Sequence, residues 1–317
     1  MFGKILIAVD GSSCSERAGR VGLAFARGLG AEVWVVHVVK APPAYLEAGA
    51  GAAEAESWAE ALLGSWRELG RRAGLEPRTE ALRHDHAGEG IAEAAGRLGC
   101  ELVVLGTHGR EGLRRVLLGS VAERVCRLSP VPVLLVRGDG GVEPATGAFG
   151  RILAPVDGSA AAEAAFRVAD RLAVRLGAEL HVLHVVPPLA VPLPEPWGGA
   201  TSVLYAWAEI ERALEQEEHA ILAAAQARAC AARVTTASVK AGHRREADCI
   251  VEYARDNGTD LIVMGTHGRT GLERLLLGSV AEGVAHHTPV PLLLVRPGQA
   301  GGLEAALSPG REKEESR

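Results

Sequence analysis

Aromatic residues are scarce in this chain: Phe, Trp and Tyr make up 4% of its 317 residues, and Met occurs twice. Hydrophobic residues still reach 48%, much of it alanine, and charged residues stand at 23%, which is the profile of a soluble globular protein. The cores are therefore expected to be aliphatic, built from Val, Leu, Ile and Ala. The length is enough for two domains of ordinary size.

The chain also lacks an excess of positive charge. Its net charge is −5 and its isoelectric point is about 6.1. A general nucleic-acid binder would need a basic face, so nucleic acid is not expected as a partner. Local binding of an anion is compatible with this balance, because backbone amides can hold an anion without any net charge.

Sequence signals for zinc binding, secretion and membrane insertion are absent as well. No C-x-x-C pair occurs among the five cysteines, which argues against a zinc site or a redox pair. The N-terminus has no basic segment followed by a long apolar run, and apolar runs stay far below the roughly 20 residues of a membrane span. Together with free thiols, which fit a reducing compartment, these absences predict a cytoplasmic protein with no membrane partner.

What the sequence does contain is an internal duplication. The segment KILIAVDGS near the start recurs as RILAPVDGS at 151–159. From Gly106 the chain reads GTHGREGLRRVLLGSVAERV, and from Gly265 it reads GTHGRTGLERLLLGSVAEGV, with four differences in twenty positions. The segment SPVPVLLVR at 129–137 recurs as TPVPLLLVR at 288–296. The chain therefore holds two copies of one unit.

The boundaries of the two copies follow from composition. We predict one domain at 1–137, a linker rich in Gly and Pro at 138–149, and a second domain at 150–297. The tail at 298–317 has little to bury and is predicted to be disordered. The second copy is longer, and most of its insertion is expected in the Pro-rich stretch 187–199 and the helix after it.

Each copy is predicted to alternate strands and helices. In the first copy we expect strands at 4–9, 32–38, 78–82, 102–105 and 131–136, and helices at 13–29, 54–73, 89–98 and 120–128. Ser13 and Glu16 have the S-x-x-E spacing of a capping box. The strands are continuous apolar runs, which predicts a parallel sheet with helices on both faces. Such sheets bind ligands at the carboxyl ends of their strands, where Asp10 and Gly106 lie.

A glycine pattern follows the fourth strand of each copy and leads into a helix. In the first copy it runs Gly106-x2-Gly109-x9-Gly119-Ser120, and in the second Gly265-x2-Gly268-x9-Gly278-Ser279. Glycine permits a sharp turn or a close approach of backbone to a ligand. The first amides of the following helix have no partners within the helix and attract phosphate. Because the whole pattern occurs twice at a strand–loop–helix junction, we interpret it as a phosphate loop rather than as turn glycines with a helix cap.

Three residues in each copy are open to two interpretations. The aspartate of VDGS fits either a turn that caps the following helix or an acceptor for ribose hydroxyls or an adenine amine. The histidine and the arginine of the glycine loop each fit either a solvated position or a phosphate contact. These pairs are Asp10 and Asp157, His108 and His267, and Arg110 and Arg269.

Together these marks resemble those of the universal stress protein family, in tandem form. The marks are VDGS after the first strand, HVV in the second strand and G-x2-G-x9-G-S before the last helix, and both copies carry them. The glycine pattern is similar to that of the family's ATP-binding branch. The resemblance implies a Rossmann-like α/β fold with five parallel strands in the order 3-2-1-4-5. It also implies ATP, with or without Mg²⁺, in the cleft between the first and fourth strands.

Carried over position by position, the resemblance implies matching contacts in the two copies. In the first copy, base and ribose would meet Ala8, Val9, Asp10, Val38 and Leu105, and the phosphates Gly106, Gly109, Arg110, Gly119, Ser120 and Val121. In the second copy these become Pro155, Val156, Asp157, Val185 and Met264, and Gly265, Gly268, Arg269, Gly278, Ser279 and Val280.

Two further implications concern assembly and the ribose. The resemblance implies that the copies pair through their fifth strands, PVPVLLVR and PVPLLLVR, whose apolar edges would be a liability if exposed. Whether two chains pair further as a homodimer is left open. Family members often carry a glycine after the third strand, near the ribose. Gly242 fits this place in the second copy, whereas no glycine directly follows that strand in the first.

The leading functional expectation is a nucleotide-sensing stress or regulatory protein. The sequence has no Walker-type GKS or GKT, no evident base for a γ-phosphate and no carboxylate cluster for a metal, so we expect slow ATP hydrolysis at most. Two alternatives stay open. One is a nucleotide-free module of the same fold that serves dimerisation, and the other is a pyrophosphatase or transferase acting on adenine nucleotides.

Overall fold

The computed structural model describes residues 2–40, 50–109, 118–138, 149–187, 200–268 and 277–299. The predicted linker lies outside this part of the chain except at its two ends. The predicted tail lies outside it except for its first two residues.

Both copies alternate strands and helices as the sequence predicts, and the bounds predicted for the first copy agree with the structure to within a few residues. The first copy consists of β1 (Lys4–Ala8), α1 (Ser13–Leu29), β2 (Glu32–Val39), α2 (Ala50–Arg72), β3 (Arg78–Arg83), α3 (Ala87–Arg97), β4 (Leu102–Gly106), α4 (Ser120–Leu128) and β5 (Val133–Val136). The second consists of β6 (Arg151–Pro155), α5 (Ala160–Leu176), β7 (Glu179–Val186), α6 (Ala200–Arg228), β8 (Val234–Lys240), α7 (Glu246–Asp256), β9 (Leu261–Gly265), α8 (Ser279–His287) and β10 (Leu292–Val295).

The ten strands form one sheet in the order β3-β2-β1-β4-β5-β10-β9-β6-β7-β8. Each copy therefore has the order 3-2-1-4-5, and all pairs within a copy are parallel, which confirms the predicted fold class. The copies join where β5 and β10 pair antiparallel, with Leu134 opposite Leu293. These two leucines are counterparts in the duplicated sequence, so a pseudo-two-fold axis passes between them.

Two apolar layers cover the sheet, one on each face, and both run through the two copies. Helices α1, α2, α5 and α6 pack on one face, and α3, α4, α7 and α8 on the other. Val, Leu, Ile and Ala dominate both layers, as the low aromatic content predicts. Phe25 on α1 and Phe149, which precedes β6, meet edge to face with ring centroids 5.0 Å apart. The two copies therefore share a continuous core.

The start of α1 corrects one prediction. Ser12, rather than Ser13, is the N-cap: its backbone is extended and its side chain accepts a hydrogen bond from the amide of Ser15 at 3.2 Å. Ser13 is already the first helical residue, so the predicted box of Ser13 and Glu16 is wrong by one position. The serine of VDGS caps the helix in the second copy as well, where Ser159 accepts from the amide of Ala162 at 3.1 Å.

The register of the third strands locates the insertion in the second copy. Trp34 on β2 pairs with Arg78, whereas its counterpart His181 on β7 pairs with Thr235. Most of the extra residues therefore precede β8. Helix α6 has 29 residues against 23 for α2, which accounts for part of them.

Candidate functional site

A cleft with a volume of about 1080 Å³ opens at the carboxyl ends of β1, β2 and β4. It forms where the strand order reverses, because the chain leaves β1 toward β2 on one side and β4 lies on the other. Of the residues predicted for the first site, Arg110 lies outside the described part of the chain, and all the others line this cleft. They are Ala8, Val9, Asp10, Val38, Leu105, Gly106, His108, Gly109, Gly119, Ser120 and Val121.

The corresponding residues of the second copy lie at the same strand ends and helix start. Arg269 lies outside the described residues. The others are Pro155 at the end of β6, Val156 and Asp157 after it, Val185 on β7, Met264 and Gly265 on β9, His267 and Gly268 in the loop, Gly278 before α8, and Ser279 and Val280 in its first turn.

Gly106 and Gly265 are required by close packing of the sheet on a helix. A Cβ on Gly106 would lie 2.8 Å from Cys14 Sγ and 3.1 Å from the Cys14 carbonyl carbon on α1. A Cβ on Gly265 would lie 2.7 Å from the carbonyl carbon of Ala161 on α5. The constraint is space, because neither glycine has a left-handed backbone. These glycines let the fourth strand end directly over the helix start.

The second glycine of each loop lies against the aspartate that follows the first strand. A Cβ on Gly109 would lie 2.7 Å from Asp10 Oδ2, and one on Gly268 would lie 2.8 Å from Asp157 Oδ2. The other carboxylate oxygen, Asp10 Oδ1, accepts the amide of Ser12 at 2.9 Å, and Asp157 makes the same turn. The turn interpretation of these aspartates therefore holds for Oδ1, while Oδ2 faces the loop glycine.

The third glycine closes the loop at its neck. The amide of Gly119 donates to the carbonyl of Thr107 at 2.8 Å, and the amide of Gly278 donates to Thr266 at 2.7 Å. The Gly119 amide is therefore occupied. The next three amides, at Ser120, Val121 and Ala122, have no acceptor within their own helix and line the cleft. A bound anion would meet these amides and the positive end of the helix dipole.

His108 is half-buried rather than solvated. Its Nδ1 lies 3.0 Å from Thr107 Oγ1, and Thr266 and His267 repeat this contact at the same distance. The Nε2 atom of His108 is buried and has no hydrogen-bond partner among the described residues. An unsatisfied buried polar atom costs roughly 1–3 kcal/mol. A ligand oxygen in the cleft would remove that cost by accepting from Nε2.

Two aromatic residues of the first cleft were missed from the sequence. His37, within HVV, lines the cleft and its Nδ1 donates to the carbonyl of Val9 at 2.7 Å. Trp58 on α2 also lines the cleft, 41% exposed, with its ring 5.0 Å from that of His37 in an edge-to-face contact. His184 repeats the histidine contact with Val156 at 2.8 Å, so its recurrence in both HVV segments was a usable signal. Trp58 has no comparable signal.

The turn after the third strand differs between the copies. Gly242 has a left-handed backbone, with φ of 61°, and a Cβ there would meet nothing within 4 Å. In the first copy the amide of His86 instead donates to Nδ1 of His84 at 3.0 Å, which closes a shorter turn without glycine. The departure noted in the sequence is therefore a real difference in turn structure.

Two kinds of feature are absent from the described part of the chain. Its side chains form no group of three or more His, Cys, Asp or Glu residues that could hold a metal ion. None of its helices combines the length and the apolar character that crossing a membrane requires.

Comparisons with known proteins agree with this geometry. A model described as the universal stress protein family matches residues 1–137 and again 148–296. A universal stress protein of Mycolicibacterium smegmatis is 33% identical over 243 residues, which is 72% of this chain and 72% of that protein. One of Methanocaldococcus jannaschii is 36% identical over 143 residues, which is 43% of this chain and 83% of that protein.

A solved structure extends the likeness to the arrangement of the two copies. The crystal structure of a universal stress protein from Archaeoglobus fulgidus superposes with a TM-score of 0.63, covering 92% of this chain and 96% of that one. The sequence identity is 22%, so this likeness concerns the fold alone.

Proposed function

Because the chain belongs to the universal stress protein family, we propose that it is an ATP-binding member of that family and that each copy holds one nucleotide through its glycine loop. The observation that carries the proposal is the cleft of the first copy, whose volume of about 1080 Å³ lies just above the range of roughly 300–1,000 Å³ that is usual for ligand pockets. One wall of the cleft consists of apolar strand ends, and the opposite wall is the start of α4.

The chemistry of the two walls suits the two ends of an adenine nucleotide. Val38 and Val39, which line the cleft and are half-buried, give the apolar surface that a purine would cover. The amides of the first turn of α4 and the buried Nε2 of His108 are donors suited to phosphate oxygens. Asp10 Oδ2, between these walls, is an acceptor suited to ribose hydroxyls. Mg²⁺ would enter with the phosphates, since no side-chain cluster in the described part of the chain could hold it.

Slow hydrolysis, at most, is part of the proposal. Asp10 is the only carboxylate among the described residues that line the cleft, and its Oδ1 already accepts the amide of Ser12. A base that activates water for attack on a γ-phosphate needs an oriented, available acceptor. The nucleotide would therefore act as a signal, by shifting the population between states of the chain that bind it unequally. Stress or regulatory signalling is the role that fits a binder of this kind.

The nucleotide-free dimerising module is the weaker candidate. It would offer the edges of its fifth strands to a second chain. In this structure β5 and β10 pair with each other, so those edges are occupied within the chain. No observation in the described residues favours a pyrophosphatase or transferase over a binder.

The test uses the purified full-length chain. The protein is denatured, and the supernatant is analysed for adenine nucleotide. Nucleotide-free protein is then melted with and without ATP. We expect released adenine nucleotide or a rise in melting temperature, since ATP at 100 times its Kd adds about 2.7 kcal/mol to the stability of the bound state. Finding neither would contradict the proposal.

A tryptophan readout assigns binding to the first cleft. Trp58 lines that cleft, so ATP is expected to change its fluorescence, and Trp58→Phe should remove that change. Trp66→Phe is the matched control, because Trp66 is buried against Gly19 of α1 and is not among the residues that line the cleft.

A further inference from the structure

A side chain of the second copy reaches the glycine loop of the first. The amide of Leu118 donates to Nε2 of His286 at 3.3 Å. Leu118 lines the cleft and directly precedes Gly119, the N-cap of α4. His286 lies in the last turn of α8. The hydrogen bond therefore crosses the boundary between the copies and ends at the neck of the first loop.

The two sites differ in this contact. The axis between Leu134 and Leu293 relates Leu118 to Leu277, and it relates His286 to Arg127. An arginine side chain has five donors and no acceptor. Arg127 therefore has no means of accepting an amide as His286 does. Among the residues that the structure describes, the contact belongs to the first loop and has no equivalent at the second.

Accepting the Leu118 amide requires an unprotonated Nε2. Burial lowers the pKa of His286. The charge of Arg137, and those of His287 and His108 whenever they are protonated, act in the same direction, whereas Glu282 opposes them. These are the charged and titratable groups that face the imidazole from α8, from the end of β5 and from the first loop. The neutral ring is thus the favoured form near pH 7, and Nε2 is available to accept.

We propose that His286 is a positioning residue that the second copy contributes to the nucleotide loop of the first. It holds the Leu118 amide and thereby places Gly119 and the first turn of α4, so the first site is complete only in the presence of the second copy. Protonation turns Nε2 into a donor and releases Leu118. Lowering the pH should therefore break the hydrogen bond that anchors the first loop at Leu118. In the part of the chain that the structure describes, the second loop has no such bond to lose. The part of the inference that concerns ATP rests on the proposed function.

The first experiment needs no nucleotide. Hydrogen exchange at the Leu118 amide is measured in the full-length chain by NMR, relative to the intrinsic exchange rate. We expect His286→Leu and His286→Arg to speed exchange about fivefold, the value of one ordinary hydrogen bond. Arginine is the residue at this place in α4 of the first copy, so the helix is expected to accept it. His286→Gln keeps an acceptor and should restore much of the protection.

The control for this exchange experiment is the neighbouring histidine. His287→Gln alters a ring whose Nδ1 contacts the carbonyl of Gly283 on its own helix, so near pH 7, where His286 is neutral with or without it, exchange at Leu118 should not change. Wild-type exchange at Leu118 should also rise, relative to the intrinsic rate, at acidic pH, and only well below the ordinary histidine pKa of about 6.5, because the pKa of His286 is lowered. Unchanged exchange in both His286→Leu and His286→Arg would overturn the inference.

The second experiment measures ATP affinity at one site at a time. In a Gly268→Val background, which leaves the first site, His286→Leu should weaken ATP binding about fivefold and His286→Gln less than twofold. In a Gly109→Val background, which leaves the second site, His286→Leu should have no effect. If exchange at Leu118 responds as expected but neither background binds ATP, the positioning role stands and the proposed function fails. Equal effects of His286→Leu in both backgrounds would overturn the site-specific role.

Discussion

The two copies are nearly identical at the loop that faces the proposed phosphates and different around it. Three corresponding distances agree to within 0.1 Å between the copies: the Cβ contact of the second glycine, the amide-to-carbonyl hydrogen bond at the loop neck and the hydrogen bond of the HVV histidine. The turn after the third strand differs between the copies. The contact of His286 with the first loop has no counterpart at the second loop among the described residues. The duplicated chain thus has the same loop geometry twice, while the segments that flank the two loops differ.

A buried polar cluster of the second copy shows how far that divergence extends. His181 on β7 is 5% exposed, and its Nδ1 lies 3.0 Å from the hydroxyl of Tyr253 on α7. Trp34 and Ala94 occupy the corresponding places in the first copy. The same position between sheet and helix is therefore polar in one copy and apolar in the other. Binding would constrain the loops in both copies, while the far end of the sheet is free to vary.

The largest effect is expected from filling the loop glycines. Gly109→Val should weaken ATP binding at the first site at least tenfold, about 1.4 kcal/mol, because its Cβ would strike Asp10 Oδ2 and displace either the carboxylate or the loop. Gly268→Val should do the same at the second site. Titration calorimetry of each variant would show one remaining site.

The control for the loop variants is a glycine in open space. A Cβ on Gly64 of α2 would meet nothing within 4 Å, so Gly64→Ala should keep both sites and stabilise the fold by up to about 1 kcal/mol. Normal ATP binding by Gly109→Val, Gly268→Val and the double variant would show that the loops are not the nucleotide sites.

The neck glycines offer a finer comparison of stability. A Cβ on Gly119 would lie 2.8 Å from the carbonyl oxygen of Thr107, whereas one on Gly278 would lie 3.3 Å from that of Thr266. Gly119→Ala should therefore cost about 1–3 kcal/mol, and Gly278→Ala less. Urea unfolding of both variants measures the difference. An equal or larger loss of unfolding free energy in Gly278→Ala would contradict the tighter contact described at Gly119.

The polar cluster of His181 and Tyr253 predicts that the stability of the second copy depends on pH in a way that the first copy does not share. Tyr253→Phe should cost roughly 0.5–1.5 kcal/mol by removing the bond to His181. Burial raises the pKa of Tyr253, so the folded chain resists its ionisation. The stability that depends on the neutral phenol is present below about pH 10 and is lost as pH rises above it. Unfolding measured from pH 8 to 11 should show a smaller loss for Tyr253→Phe than for the wild type.

The smallest effect concerns matched ion pairs on α1 and α5. Glu16 contacts Arg20 at 2.8 Å, and both side chains are more than half exposed. Its counterpart Glu163 contacts both Arg167 and Arg228 and is less exposed. Glu16→Gln should cost no more than about 0.5 kcal/mol, and Glu163→Gln somewhat more. Chemical unfolding in low salt measures both, and a larger cost for Glu16→Gln would contradict this ranking.

Much of the fold could be predicted because it depends on local patterns. Continuous apolar runs, turn residues and the duplication indicate ten strands in two parallel sets. The cap at Ser12 was placed one residue late because Ser12 and Ser13 are both good N-cap residues, and only the extended backbone of Ser12 distinguishes them. The sequence pattern alone does not specify this backbone conformation.

The site could be predicted in part for a related reason. The glycine loops repeat in sequence, so their place was evident, although their physical role was not: Gly109 and Gly268 face aspartates of their own copies. Trp58 reaches the first site from α2 and His286 reaches it from α8 of the second copy, and neither belongs to a motif. Contacts of this kind depend on tertiary packing, which the sequence pattern alone does not reveal.

The decisive measurement is a calorimetric titration of nucleotide-free, full-length protein with ATP, AMP and adenosine in turn. If both glycine loops bind phosphates, ATP should bind with two equivalents per chain, and affinity should fall from ATP to AMP to adenosine. Adenosine binding as tightly as ATP, or no binding of ATP at either site, would contradict phosphate recognition by the glycine loops.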